Sequence, residues 1–133
     1  MFGALSLSMS FTPRKQKEFS DFIRFEDDQG LVYEVHGNNP RIELAYEIAN
    51  SLDVVIKKSV DLLCDFIKFE GDFESSFVMI FHDKDEDGGD FKVRFTFEDN
   101  SNEFDNTYFD VFLNYRQTPS DNFWPIKFTI GFY

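Results

Sequence analysis

The sequence predicts an α+β domain: a curved antiparallel β-sheet, built from a meander plus an N-terminal hairpin, packed on one long α-helix. Three observations carry this. One stretch, 40–67, repeats apolar residues at steps of three and four, the period of a helical face. The stretches on either side alternate apolar with polar residues, the period of a half-buried strand. Phe accounts for 19 of the 133 residues, so the core where helix and sheet meet should be aromatic. That length is one domain's worth, and no repeat or linker divides it, so 1–133 reads as a single domain.

The elements follow in order. Leu5, Leu7, Met9 and Phe11 alternate with Ser6, Ser8 and Ser10, the pattern of a short strand or of an unstructured tail. The stretch lacks the basic start and compact apolar centre of a secretory signal. With Met9 as an alternative start, residues 1–8 are a dispensable tail. A basic cluster, Arg14, Lys15 and Lys17, comes next. Residues 20–26 and 31–36 read as a hairpin closed by Asp27-Asp28-Gln29-Gly30, which is turn chemistry.

Asn39 is a good helix cap, and Pro40 suits the first helical position. The apolar face then runs through Ile42, Ala45, Ile48, Ala49, Leu52, Val55, Ile56, Leu62, Leu63 and Phe66. A single helix over 40–67 is about 42 Å long. Asn50, Ser51 and Asp53 are weak helix formers and mark the place for a bend or break. Strand patterns follow at 73–82, 91–98, 107–116 and 126–133, separated by polar loops. Four consecutive strands so connected favour an antiparallel meander.

The charge excludes some functions. Thirteen bases against 25 acids leave −12, which argues against binding nucleic acid through its phosphates or docking on an anionic membrane. No apolar run approaches the roughly 18 residues that span a bilayer. Cys64 is the only cysteine, so no intrachain disulfide forms, and a single buried thiol fits a cytoplasmic protein.

No stretch carries recognisable catalytic chemistry. Asp83-Lys84-Asp85-Glu86-Asp87-Gly88-Gly89-Asp90 starts like a calcium loop, but Arg94 stands where the twelfth position needs a bidentate Glu. It reads as a solvated hairpin loop. His36 and His82 lie at strand ends, outside any Cys/His cluster, so no zinc ligand set is visible. Asp61 and Asp65 flank Cys64, the reverse of what a reactive thiolate needs. Glycine-rich phosphate loops and the GxSxG elbow are absent. The expectation is a protein that is not an enzyme and takes no metal or cofactor.

The distribution of charge says more. Residues 83–110 hold ten acids against three bases, a surplus of seven within a total of twelve. Concentrated negative potential steers a basic partner and raises its on-rate. The candidate partner-binding residues are Asp83, Asp85, Asp87, Asp90, Asp99, Glu103 and Asp105. Phe123 and Trp124, in the loop before the last strand, are candidate aromatic anchors.

The stretches RIELAYEIANSLDVVIKKSVDLLCDFI and YFDVFLNYRQTPSDNFWPIKFTIGFY together resemble small bacterial immunity proteins. These are the antidotes encoded beside polymorphic toxins, contact-dependent growth inhibition systems included. The resemblance implies a cytoplasmic, non-catalytic protein that binds one cognate toxin domain, often a basic nuclease. The alternative is a pocket protein of cystatin-like or nuclear-transport-factor-like architecture, holding a small ligand or an active site between helix and sheet.

Overall fold

Seven strands pair in sequence order into one sheet. The computed structural model describes residues 14–18, 21–37, 39–69, 71–81, 89–99, 106–118 and 121–133. Strands β1 (Arg14–Glu18), β2 (Phe22–Glu26) and β3 (Val32–His36) form one antiparallel ladder. Strands β4 (Gly71–Ile80), β5 (Phe91–Asp99), β6 (Thr107–Tyr115) and β7 (Phe123–Phe132) form a second. Between them lie α1 (Ile42–Asn50) and α2 (Leu52–Phe66).

The N-terminal hairpin and the four-strand meander are as the alternation predicts. The sheet as a whole is mixed, not antiparallel, because β3 and β4 run parallel, Val32 opposite Phe77 and Val35 opposite Ile80. A helical crossover is the connection that joins parallel neighbours, and this helical pair supplies it. β1 is a strand where the sequence shows only a basic cluster. The alternating stretch before it lies outside the described residues.

The expected single helix is two. Ser51 adopts φ −122°, ψ 27°, and its N–H bonds the carbonyls of both Glu47 and Ile48. The weak helix formers Asn50 and Ser51 mark this break. The start is also later than Asn39-Pro40 suggested: α1 begins at Ile42, with Arg41 at the cap position and no side chain capping it. Cys64, expected to be a buried thiol, is exposed, because α2 turns Leu63 inward in its place.

Leu44, Ile48, Leu52, Val55 and Leu63 press the helical pair onto one sheet face. That face contributes Tyr33, Val35, Val78, Ile80, Phe91, Phe95, Phe109 and Leu113, all fully buried. Phe69, after α2, meets Phe73, Phe97 and Phe109 with ring centroids 4.5–5.4 Å apart. Two irregularities set which residues face the helices. The register of β4 shifts between Ser75 and Phe77, so Phe73 points inward but Val78 and Ile80 take over beyond it. A second shift opposite Phe112 and Leu113 does the same in β7.

The hairpin turn is held by Asp27, which is almost fully buried. Its Oδ1 accepts the N–H groups of Gln29 and Leu31 at 2.9 Å each, and its Oδ2 accepts the Tyr33 hydroxyl at 3.2 Å. Gly30 supplies the positive φ of 87° that the turn needs.

Two predictions follow from this packing. Ile48→Asp places an unpaired charge at a fully buried site and should cost several kcal/mol, read as a lowered urea midpoint. Burial first, then the charge of Asp27 and its hydrogen bond, push the Tyr33 pKa far above the usual tyrosine value. The unfolded chain ionises near pH about 10 while the folded one keeps the proton. The stability contributed by this difference is therefore whole below about pH 10 and is lost as pH rises above it. The parent's urea midpoint should fall more steeply above about pH 10 than that of Tyr33→Phe.

Candidate functional site

The sheet face turned away from the helices carries a part-buried cluster of charged side chains. Strand alternation sends Lys92 and Arg94 of β5 and Tyr108, Asp110 and Phe112 of β6 to that side, with Arg94 opposite Asp110. Asp110 is nearly fully buried there and accepts from two cations. Arg94 donates through Nε at 2.8 Å and Nη2 at 3.0 Å, a bidentate fork, and Lys92 Nζ donates at 3.0 Å. The hydrogen bonds to Asp110 hold the Arg94 pKa above its ordinary value against the lowering effect of burial, and the charge of Asp110 adds to the rise.

Aromatic rings frame this cluster. The Arg94 guanidinium lies 3.8 Å from the Tyr108 ring centroid and 4.9 Å from that of Phe77. Lys92 and Lys127 sit over Phe112 at 5.8 and 4.5 Å. Tyr108 can lie across β7 only because its neighbour there is Gly131. A Cβ at that position would come within 2.1 Å of the Tyr108 ring. Cations over ring faces gain electrostatic attraction and shield the rings from water.

The structure describes Asp90, Asp99, Phe123 and Trp124 among the predicted partner-binding residues. Asp83, Asp85, Asp87, Glu103 and Asp105 lie outside the described residues. Asp99 ends β5, and Asp90 immediately precedes it, so the two mark opposite ends of one strand, about 30 Å apart. Asp90 is buried and held: its Oδ1 accepts from Arg41 Nη2 at 3.0 Å and its Oδ2 from the Tyr115 N–H at 2.7 Å. It locks the start of α1 to the end of β6. Phe123 is buried as well, set edge-on to Phe91 at 5.9 Å, while its carbonyl accepts from Lys58 Nζ at 2.9 Å. Trp124 is half-buried, with Arg116 5.6 Å from its ring.

Two further features were not singled out from the sequence. Exposed large apolar residues gather at β7: Ile126, Ile130 and Phe132 on the strand, Tyr133 after it, and Phe66, whose ring packs 5.6 Å from Phe128. Period-two alternation in β7 presents these residues as core, so only the missing helical cover betrays them. The second is a cleft of about 580 Å³ at the start of α1, lined by Pro40, Arg41, Glu47, Tyr115 and Gln117 among others. Burial, then the charge of Glu47, raises the Tyr115 pKa. The cleft lies at the rim. Between helices and sheet the space is filled by Phe91, Phe95 and Phe109.

Among the described residues no group of three or more His, Cys, Asp or Glu side chains is placed to hold a metal ion. No described helix is long and apolar enough to cross a membrane. Compared with known proteins, the chain matches no family model, no curated relative and no solved structure.

The cluster makes a testable demand on stability. Asp110→Asn keeps the shape but leaves Lys92 and Arg94 without their counter-charge. It should cost about 3 kcal/mol, at the low end for a broken buried pair because both cations keep some contact with water. Chemical denaturation of the variant beside the parent measures this.

Proposed function

We propose that the protein is a non-catalytic, acidic binding protein that neutralises a cognate basic toxin domain, in the manner of an immunity protein. The observation that supports this reading is where the positive charge goes. Arg41, Lys57, Lys58, Lys92 and Arg94 are each bonded to a carboxylate, and Arg116 and Lys127 lie over rings. Much of the basic charge is thus committed to partners on this same chain. The surplus of twelve acids is left to set the field that a partner meets.

The two acidic segments join strand ends, β4 to β5 and β5 to β6. Their role is to meet the Lys and Arg side chains that a nuclease uses to hold phosphate, so that substrate is excluded by occupation of its site. The buried acids Asp27, Asp90 and Asp110 hold the fold, leaving the loop acids for recognition.

The test is the rate of association with the toxin domain encoded beside this chain. Changing Asp99, Glu103 and Asp105 together to Lys should slow association at least about tenfold at low salt, and less at high salt. Survival of the fold is checked by the melting temperature of the variant beside the parent's. Protection of growing cells should fall in parallel. An unchanged rate with full protection would remove this loop from the interface.

A further inference from the structure

The two edges of the sheet are built differently. β1, at one edge, has the sequence RKQKE, three bases and an acid in five residues. Charged side chains, Lys above all, are how proteins keep an edge from pairing with another chain. β7, at the other edge, is ten residues long and reads FWPIKFTIGF. Of the nine elements it alone contains no Asp or Glu, in a chain that has 25. Its single charge, Lys127, is turned to the face away from the helices, over the Phe112 ring. Among the described residues no strand pairs with its outer edge. The exposed apolar residues of the molecule also concentrate there: Phe132 is 77% exposed, Phe66 70% and Ile130 47%.

We infer that this edge is covered by a second copy of the chain, through antiparallel pairing of β7 with itself about a two-fold axis. Charge selects this occupant. A basic partner would find no carboxylate on the strand, whereas a second copy brings an equally acid-free, apolar edge. Pairing centred on Thr129 places Ile130 opposite Phe128 of the partner subunit and Lys127 opposite Gly131 of the partner subunit. Apolar residues then meet apolar residues, and the one charge on each strand faces no like charge. The two-fold makes the patch self-complementary, as an isologous interface requires. Phe66, standing over Phe128 at the end of α2, adds an aromatic wall beside the new ladder.

The net charge of −12 on each copy repels across the dimer, and this repulsion is screened beyond roughly 8 Å at physiological salt. Self-association should therefore tighten as salt rises. Binding of a basic toxin should weaken, so the two interactions are separable by the sign of their salt dependence. The dimer does not rest on the toxin-binding reading.

Sedimentation equilibrium of the whole chain over a range of concentrations tests the proposal. The expected mass moves from 15.7 kDa towards twice that value, and the dissociation constant falls between about 50 mM and about 500 mM salt. Ile130→Lys combined with Phe132→Lys should weaken the dimer at least about tenfold while leaving the melting temperature of the monomer unchanged, both sites being exposed. Hydrogen exchange supplies a second reading: alternate β7 amides should be protected in concentrated solution and exchange faster on dilution. A mass of one chain at every concentration overturns the proposal. So does a dimer that the double Lys variant leaves intact.

Discussion

One constraint shapes the molecule: the sheet has two faces, and among the described residues helices cover only one. The covered face is solved by apolar packing of α1 and α2 over Phe91, Phe95 and Phe109. Among the described residues no second layer covers the other face, yet it carries Phe77, Tyr108 and Phe112. Asp110 resolves the conflict. By fixing Arg94 and Lys92 in place, it holds their flat or flexible stems across the rings and turns an apolar surface into one that water accepts. The carboxylate is buried at the centre of this arrangement, so the roof is anchored at a single point.

Much of this was legible in sequence. Period-two alternation located β2 to β7, and the steps of three and four located the helical pair with its break near Ser51. The parallel junction of β3 and β4 was not visible, because alternation gives a strand's faces and not its direction. Parity was lost at the two register shifts. In β4 the inward face passes from Phe73 to Val78 and Ile80 because one residue is left unpaired between them.

The acids show the same limit more sharply. Asp27, Asp90 and Asp110 are three carboxylates among 25, with nothing in their neighbours to mark them as buried. Asp110 becomes special only when the register sets it opposite Arg94, a fact of pairing between strands. Asp90 becomes special only when Arg41 arrives from 49 residues away. Counting acids measured the surplus but could not pick out the carboxylates that hold the fold. Phe123 and Ile130 illustrate the converse: Phe123 read as a loop residue able to anchor a partner and Ile130 as the inward face of a strand, yet Phe123 is core and Ile130 is surface.

The strand order also fixes how the chain can come together. Every strand pairing except β3 with β4 joins neighbours along the chain by a short connection. The two antiparallel ladders can therefore form from local encounters at small entropic cost. The parallel seam alone demands closure of a long connection, and that connection is the helical pair itself. Helices that have already coiled shorten the span and present the apolar surface on which both ladders dock. The seam between β3 and β4 is thus the last sheet contact that the topology favours.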